Sequence, residues 1–270
     1  MSLWDRILEP EGLTTVFQPI FELGPQRKIF ALEALTRGPK GTNIERSDVL
    51  FEYVRRKRRE AEVDQLAIEA ALRQARGLLE VPALTLNVHA STLERDRRFA
   101  ASLAGLSAEY EIPLDRILIE IVEHAPPWNG PHFLTTLGEL RELGVRIALD
   151  DVGLGQSSFR MILDCRPDLL KIDRHFVAGA HADPLRRAVL ESISDLARRL
   201  GGRAVAEGIE DERDLAAVAE IGIRLAQGYL LCEPCTSRDL RQRGLLGGAS
   251  AGSGNEKVTQ AIRLPIFPPT

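Results

Sequence analysis

Eight short apolar runs alternate with longer segments of helical period along this chain, and that alternation restricts the fold more than any other feature. The runs are TTVFQPIF (14–21), IFALEAL (29–35), ALTLNV (83–88), ILIEIV (117–122), RIALD (146–150), LLKI (169–172), RAVAE (203–207) and IRLAQ (223–227). Helices are predicted between them over Glu62–Leu79, Pro131–Leu143, Pro184–Leu200 and Glu212–Ile221. Strand and helix in turn imply βα units and a largely parallel sheet. Eight such strands in one domain-sized length favour a closed barrel over an open doubly wound sheet. The first two runs break the rule: only ELGPQRK separates them, a hairpin length too short for a helical crossover, so that pair is predicted antiparallel. The expected class is α/β, a TIM-like (β/α)8 barrel with one antiparallel strand.

Polar residues recur at the carboxyl end of nearly every run: Glu33, Asn87, Glu120, Asp150 with Asp151, Lys171 with Asp173, Glu207 and Gln227. In such a barrel that end is where chemistry is built, because the strands converge there above an interior packed with apolar side chains. One or two of these residues are explained as turn starters. Several acids, an amide and a lysine, each closing a different strand, are harder to assign to turns. Four or five carboxylates in one mouth repel unless protonated or neutralised by cations. An all-oxygen set of Asp, Glu and Asn suits Mg²⁺ or Mn²⁺ rather than zinc. The five histidines show no metal spacing, and His89, next but one to Asn87, reads as a loop residue.

Neighbouring residues on a strand face opposite ways, so Asp150 and Asp151 cannot both face the axis while the chain stays extended. At the strand end, with Gly153 and Gly155 following, the chain can turn and bring the second carboxylate round. Asp150 then bridges two cations and Asp151 holds the outer one, on the pattern of two-metal phosphoryl-transfer sites.

The remaining features exclude more than they assign. With 44% hydrophobic and 27% charged residues the chain has the composition of a soluble globular protein, and its net charge of −4 gives no nucleic-acid footprint. The basic run VRRKRRE (54–60) reads as a solvated face leading into a helix. No apolar stretch approaches the roughly 20 residues of a membrane span, and the N-terminus lacks a signal-peptide layout, so a cytoplasmic protein with no membrane partner is expected. Cys165, Cys232 and Cys235 are too few for a disulfide framework. The CEPC pair has the spacing of a redox or zinc motif but no second pair or nearby histidine. From Gly244 the composition turns to GLLGGASAGSGNEK and then VTQAIRLPIFPPT, so a barrel unit over 1–243 and a flexible tail over 244–270 are expected.

Taken together and in order, FQPIFELGPQRKIFALEALTRG, LTLNVHAST, ILIEIVEH, IALDDVGLGQSSF, DLLKIDRHFV, AVAEGIEDERDL and AQGYLLCEP resemble the EAL domain, a family of cyclic di-GMP phosphodiesterases named for the tripeptide found here at 33–35. The resemblance covers roughly residues 12–236. It implies a TIM-like barrel that opens cyclic di-GMP to linear pGpG with Mg²⁺ or Mn²⁺ at a two-metal site, with Ca²⁺ inhibitory, and that forms a homodimer. Carried onto this chain, it implies metal ligands at Glu33, Asn87, Glu120, Asp150 and Asp151. Glu207 resembles the general base or outer-metal residue, and Lys171 the group that orients the attacking hydroxide. Gln227 is similar to a supporting residue. Gln18 and Arg37 match substrate contacts, Asp173 lies in the matching KIDR motif, and Glu123 resembles the acid that anchors the loop after the paired aspartates.

The chain departs from the family pattern at Val152 for Phe, Leu154 for Thr and Gln156 for Tyr in that loop, at Val122 for Thr, and at His89 for Ser. Two functions stay open at this point. One is the phosphodiesterase, which the complete ligand, base and lysine set favours. The other is a catalytically weak or inactive EAL domain acting as a cyclic di-GMP receptor or protein-interaction module, which the altered loop 152–156 and the basic run favour. An unrelated Mg²⁺ barrel enzyme with a lysine base fits the ordered motifs poorly.

Overall fold

The computed structural model describes residues 2–78, 82–122, 130–153 and 159–246. Glu123, loop residues 154–156 and the tail from 247 onward lie outside the described residues. Eight strands, β1 (Thr14–Glu22), β2 (Lys28–Arg37), β3 (Leu84–His89), β4 (Ile117–Val122), β5 (Arg146–Val152), β6 (Leu169–Ile172), β7 (Arg203–Ala206) and β8 (Leu225–Ala226), close in sequence order into one barrel. As the short β1–β2 connection requires, β1 runs antiparallel to β2, and also to β8. Every other neighbouring pair is parallel.

The interior is layered by the two-residue period of the strands. One cluster takes one buried residue from each strand or its lead-in: Ile20, Ala31, Ala83, Leu118, Ala148, Leu169, Val205 and Leu225. Two residues toward the mouth, on the same inward face, stand Gln18, Glu33, Thr85, Glu120, Asp150, Lys171, Glu207 and Gln227. An apolar ring thus carries a polar ring directly above it. Asn87 lies one step higher on β3, paired in register with Glu120. Glu207 and Gln227 follow the last residues of β7 and β8, and their N–H groups continue the ladders to the Ile172 and Ala206 carbonyls (3.0 and 2.9 Å).

Helices cover the outer faces of the strands and bury a second, larger apolar layer that includes Leu72, Leu86, Phe133, Leu140 and Val218. Their ends follow local rules. Asp183 caps the helix Pro184–Arg199 by accepting from the Leu185 and Arg186 N–H groups, with Pro184 pre-set for the first turn. Asp211 caps Glu212–Ile221, which ends at Gly222 in the left-handed region (φ 93°). The helix expected over 62–79 runs from Glu60 to Ala75, because the chain breaks at Gly77, which takes φ 80°. No helix among the described residues is long and apolar enough to cross a membrane.

Two expectations need correction. The basic run does not simply lead into a helix. Arg55, Arg56 and Lys57 close the helix Ser47–Lys57, where positive charge suits the macrodipole, Arg58 takes the left-handed cap (φ 55°), and Arg59 caps the next helix. Arg55 and Arg56 pair with Glu52, and Arg59 pairs with Glu62 and stacks 4.7 Å over Trp4. His89 is not a loop residue. It ends β3 and is buried, its backbone N–H and Nδ1 meeting the Asp64 carboxylate at 2.9 and 2.8 Å while Thr92 Oγ1 donates to the same group at 2.5 Å.

This tie fixes the helix Glu60–Ala75 to the mouth end of β3. Burial by itself depresses the His89 imidazole, but the Asp64 charge outweighs it and holds the group above its ordinary 6.5. A histidine raised on folding adds stability that is complete below pH 6.5 and is lost as pH rises through the folded value. Replacing Asp64 by Asn is therefore expected to cost about 3–5 kcal/mol in urea unfolding at pH 6, with a smaller penalty at alkaline pH. A loss below about 1 kcal/mol at pH 6, the range of an exposed pair, contradicts the assignment.

Candidate active site

The polar ring is organised around one ammonium group. Lys171 is buried, and its Nζ lies 2.7 Å from Glu207 Oε1, 3.3 Å from Glu33 Oε2 and 3.5 Å from Asp150 Oδ1, and also pairs with Glu120 Oε1. Burial taken alone would pull this lysine down. The charges of Asp150, Glu120, Glu207 and Glu33 overcome it and hold the group well above the usual lysine range. Lys171 is therefore a permanent cation here. Its acids respond in the opposite sense: burial, and then the charge of Glu33, pushes Glu120 up, and burial likewise pushes Glu207 up against the pull of Lys171.

A network of amides fixes Glu33. Gln227 Nε2 donates to Glu33 Oε2 at 2.5 Å and to Gln18 Oε1 at 2.9 Å, and Gln18 Nε2 donates in turn to the Cys232 carbonyl at 3.0 Å. Gln18 pairs in register with Glu33 across β1 and β2, so both side chains point inward. Asn87 Nδ2 approaches Glu33 Oε1 at 3.4 Å and the Ala34 carbonyl at 3.5 Å.

The paired aspartates do converge, by a route the glycines did not suggest. A register shift between Leu149 and Val152 places a bulge in β5, and Asp151 itself takes the left-handed conformation, φ 51°. The bulge turns the second carboxylate toward the first, so that oxygens of Asp150, Asp151 and Glu207 lie within 4.8 Å of one another. Burial, followed by the charges of Asp150 and Asp173, raises Asp151 to about 6.

The ring floors a two-lobed cleft. One lobe, about 310 Å³, is bounded by Lys171, Glu207, Asp173, Arg174, Glu210 and Tyr229. The other, about 500 Å³, is bounded by Asn87, His89, Phe51, Arg55, Ser47 and Val122. Glu33, Leu35 and Asp150 form the ridge shared by both. Asp173 lines the first lobe while capping the short helix behind it, accepting from the His175 N–H at 2.6 Å. Arg37 is not brought against the acids: its half-buried guanidinium donates to the Thr36 carbonyl at 3.0 Å.

Several cleft residues escape sequence reasoning. Arg174 and Glu210 pair at 2.8 Å on the rim, and Tyr229 stands 60% exposed beside them. A readable signal existed in the glycines next to Glu207 and Gln227. Gly208 takes φ 62° with the Arg174 side chain where a Cβ would sit, and a Cβ on Gly228 would overlap the Ile209 backbone. Phe51 and Arg55 reach the second lobe from the helix Ser47–Lys57, which no strand motif announces.

The donors fit divalent cations. All are carboxylates or amides, and Glu120 Oε2 is buried with no hydrogen-bond partner among the described residues, an acceptor aimed into the ring. Five carboxylates, Glu33, Glu120, Asp150, Asp151 and Glu207, face one lysine, which leaves four uncompensated negative charges when all are ionised. Two divalent cations carry the matching charge. Oxygen-only ligands of this kind are the preference of Mg²⁺ and Mn²⁺.

Comparison with known proteins agrees with this geometry. The EAL domain model matches residues 4–234. The cyclic di-GMP phosphodiesterase PdeF of Escherichia coli (strain K12) is 33% identical over 174 residues, 64% of this chain and 23% of that protein. The cyclic di-GMP phosphodiesterase RocR of Pseudomonas aeruginosa is 34% identical over 151 residues, 56% of this chain and 38% of that protein. The chain thus spans less than two fifths of either relative. Among solved structures, Klebsiella pneumoniae BlrP1 in a manganese/cy-diGMP complex superposes with a TM-score of 0.75 at 26% identity, over 84% of this chain and 57% of that one.

If Lys171 is the counter-charge of the ring, Lys171→Met should destabilise the metal-free protein by about 3–5 kcal/mol at pH 7, the cost of stranding buried charges. Folded acids with raised values bind protons more readily than unfolded ones, so the variant should regain stability as pH falls toward 5. Urea titrations at the two pH values decide. Equal stability of variant and parent at pH 7 removes the lysine from this role.

Proposed function

Because this chain belongs to the EAL domain family, we propose that it hydrolyses cyclic di-GMP to linear pGpG with Mg²⁺ or Mn²⁺, as a cytoplasmic second-messenger phosphodiesterase. The observation that carries the reading is the polar ring, in which Glu33, Asn87, Glu120, Asp150, Asp151, Lys171, Glu207 and Gln227 stand at one barrel mouth beneath a two-lobed cleft. Its relatives' names and the BlrP1 complex support the substrate. A cyclic dinucleotide has two bases flanking a phosphodiester ring, a shape that matches two lobes meeting at an acidic ridge.

In this proposal Glu33, Asn87, Glu120, Asp150 and Asp151 hold two divalent cations, with Glu207 at the outer position or acting as base. When bound, such cations raise the acidity of water and offset the charge that builds on the phosphoryl oxygens. The protein's own contribution is positional and protonic. Lys171 is held as a cation, so it cannot accept a proton; it orients the attacking oxygen and Glu207. Burial raises Glu207 above its ordinary range against the pull of Lys171, which makes it a stronger proton acceptor than an exposed carboxylate. Gln227, Gln18 and Asn87 keep Glu33 from rotating. Arg37 and Asp173 are assigned to the substrate, with the arginine facing a phosphate. Glu123 is assigned to anchoring the loop.

The second reading is a receptor that binds without turnover. Val152 favours it: the residue is buried in the wall between β5 and β6, paired with Ile172, where the family commonly has Phe. We also propose the division into a barrel unit over 1–243 and a tail over 244–270; Leu246, early in that tail, is buried against the barrel core. Homodimerisation completes the proposal. Phe159 and Leu163 lie one turn apart on the helix Phe159–Cys165, 77% and 67% exposed, an apolar pair of the kind that marks interfaces.

Purified protein with Mn²⁺ is expected to convert cyclic di-GMP to pGpG, and Glu207→Gln to lower kcat by about 10²–10⁴-fold with binding retained. Tight binding in Ca²⁺ with no product in Mg²⁺ or Mn²⁺ selects the receptor instead. Phe159→Glu should convert the dimer to monomer in sedimentation velocity; a parent that sediments as a monomer rejects the dimer.

A further inference from the structure

We propose that the two lobes of the cleft are matching guanine-binding subsites, each built from an aromatic ring and an arginine–glutamate pair: Phe51 with Arg55 and Glu52 in the larger lobe, Tyr229 with Arg174 and Glu210 in the smaller. This rests on the cyclic di-GMP function proposed above and assigns the residues that read its bases. The observation behind it is a repeat of chemistry without a repeat of sequence. Phe51, Glu52 and Arg55 come from one helix, whereas Arg174, Glu210 and Tyr229 follow three different strands. Both sets nevertheless line the cleft, one on each side of the ridge formed by Glu33, Leu35 and Asp150.

The fold holds both sets in place. Residues 51, 52 and 55 share one face of the helix Ser47–Lys57 and line the larger lobe, while Leu50 and Val54 are buried on its other side. The half-buried Phe51 ring lies 5.3 Å from the His89 ring at 56°, and the His89 tie to Asp64 fixes that wall. Glu52 pairs with Arg55 through one oxygen and with Arg56 through the other, at 2.8 Å, so it keeps a partner when Arg55 turns to a ligand. In the smaller lobe the Ile209 N–H donates to the Gln227 carbonyl and the Leu230 N–H to the Ile209 carbonyl, both at 3.0 Å, which clasps Tyr229 beside Glu210. Arg174 packs against Gly208, where any Cβ would strike its side chain, and reaches Glu210 at 2.8 Å.

A guanine presents two adjacent polar edges of opposite character: acceptors at O6 and N7, and donors at N1–H and the N2 amino group. An arginine beside a glutamate complements both, because the guanidinium fork donates to O6 and N7 while the carboxylate accepts from N1–H and N2. Adenine reverses the match, setting its N6 amino group against the guanidinium and a bare N1 against the carboxylate. The side chains of the two pairs are 37% and 39% exposed in the larger lobe and 58% and 43% in the smaller. Pairs so exposed hold each other weakly, so they exchange partners for a base at little cost. The aromatic ring offers a stacking face that any base accepts, and discrimination falls to the pair. A ligand with two identical guanines flanking a phosphodiester ring meets the same set on both sides of the ridge.

The test is calorimetry of the full chain, with Ca²⁺ in place of Mg²⁺ or Mn²⁺, against cyclic di-GMP, the mixed cyclic GMP–AMP and cyclic di-AMP. Each guanine replaced by adenine should weaken binding roughly 10–100-fold. Arg55→Ala should narrow the preference for cyclic di-GMP over the mixed dinucleotide by roughly tenfold, and Arg55→Gln should do the same with less change in volume. Adding Arg174→Ala should narrow the second step, from the mixed dinucleotide to cyclic di-AMP, by a similar factor. Phe51→Ala and Tyr229→Ala should weaken all three ligands roughly tenfold with the order kept. A parent that binds the three equally overturns the guanine subsites. So do arginine variants that weaken all three by one factor and keep the parent's preference, the behaviour of a phosphate contact. A parent that binds none of the three rejects the cyclic di-GMP function itself, and the subsites with it.

Discussion

Five carboxylates share the mouth of this barrel, and the way their charge is balanced governs everything built around them. In the protein alone, Lys171 is the balancing charge, close to Glu33, Glu120, Asp150 and Glu207 at once. One ammonium cannot neutralise five acids, and burial, which disfavours each charged form, raises the proton affinity of Glu120 and Glu207. Removing a proton from a crowded acid becomes easier once a cation stands beside it.

A ring of this kind needs a rigid base, which the two-residue period of the strands supplies. Each inward polar residue stands two positions above an inward apolar one on the same strand, from Ala31 and Glu33 on β2 to Leu225 and Gln227 on β8. The lower ring is closed and buried, so the polar residues cannot relax downward, and their separations are set by strand spacing rather than by side-chain choice. Thr85 is the small member of the ring. Its position leaves β3 to present Asn87 one step higher, next to Glu33 and in register with Glu120.

Much of this was legible before any coordinates. The eight strands were readable because their inward faces are apolar until the last turn and polar thereafter, and β1 was readable as reversed because the seven residues of ELGPQRK cannot carry a helical crossover. The acids, Asn87 and Lys171 were legible for the same reason, each ending a run. The motif order then supplied the roles that spacing alone could not. What escaped detection depends on contacts between distant segments. The His89 tie to Asp64 joins a strand end to a helix, Phe51 and Arg55 reach the cleft from a helix with no motif of its own, and the Cys232 carbonyl holds Gln18 across most of the chain. Local periodicity carries no record of such partners.

The paired aspartates show how a local irregularity completes a regular site. A strand that stayed extended would place Asp150 in the ring and send Asp151 to the opposite face. The bulge between Leu149 and Val152 and the left-handed backbone at Asp151 bring both carboxylates to one side. Asp and Asn tolerate that conformation better than other side chains, since a short polar group can hydrogen-bond locally, so residue 151 satisfies backbone and charge together. A glycine would relieve the backbone but remove the carboxylate, and a glutamate would keep the charge at the expense of the turn. Strain at this point is held by the strands on either side, and it falls at the boundary between the rigid ring and the loop where the chain departs most from its family.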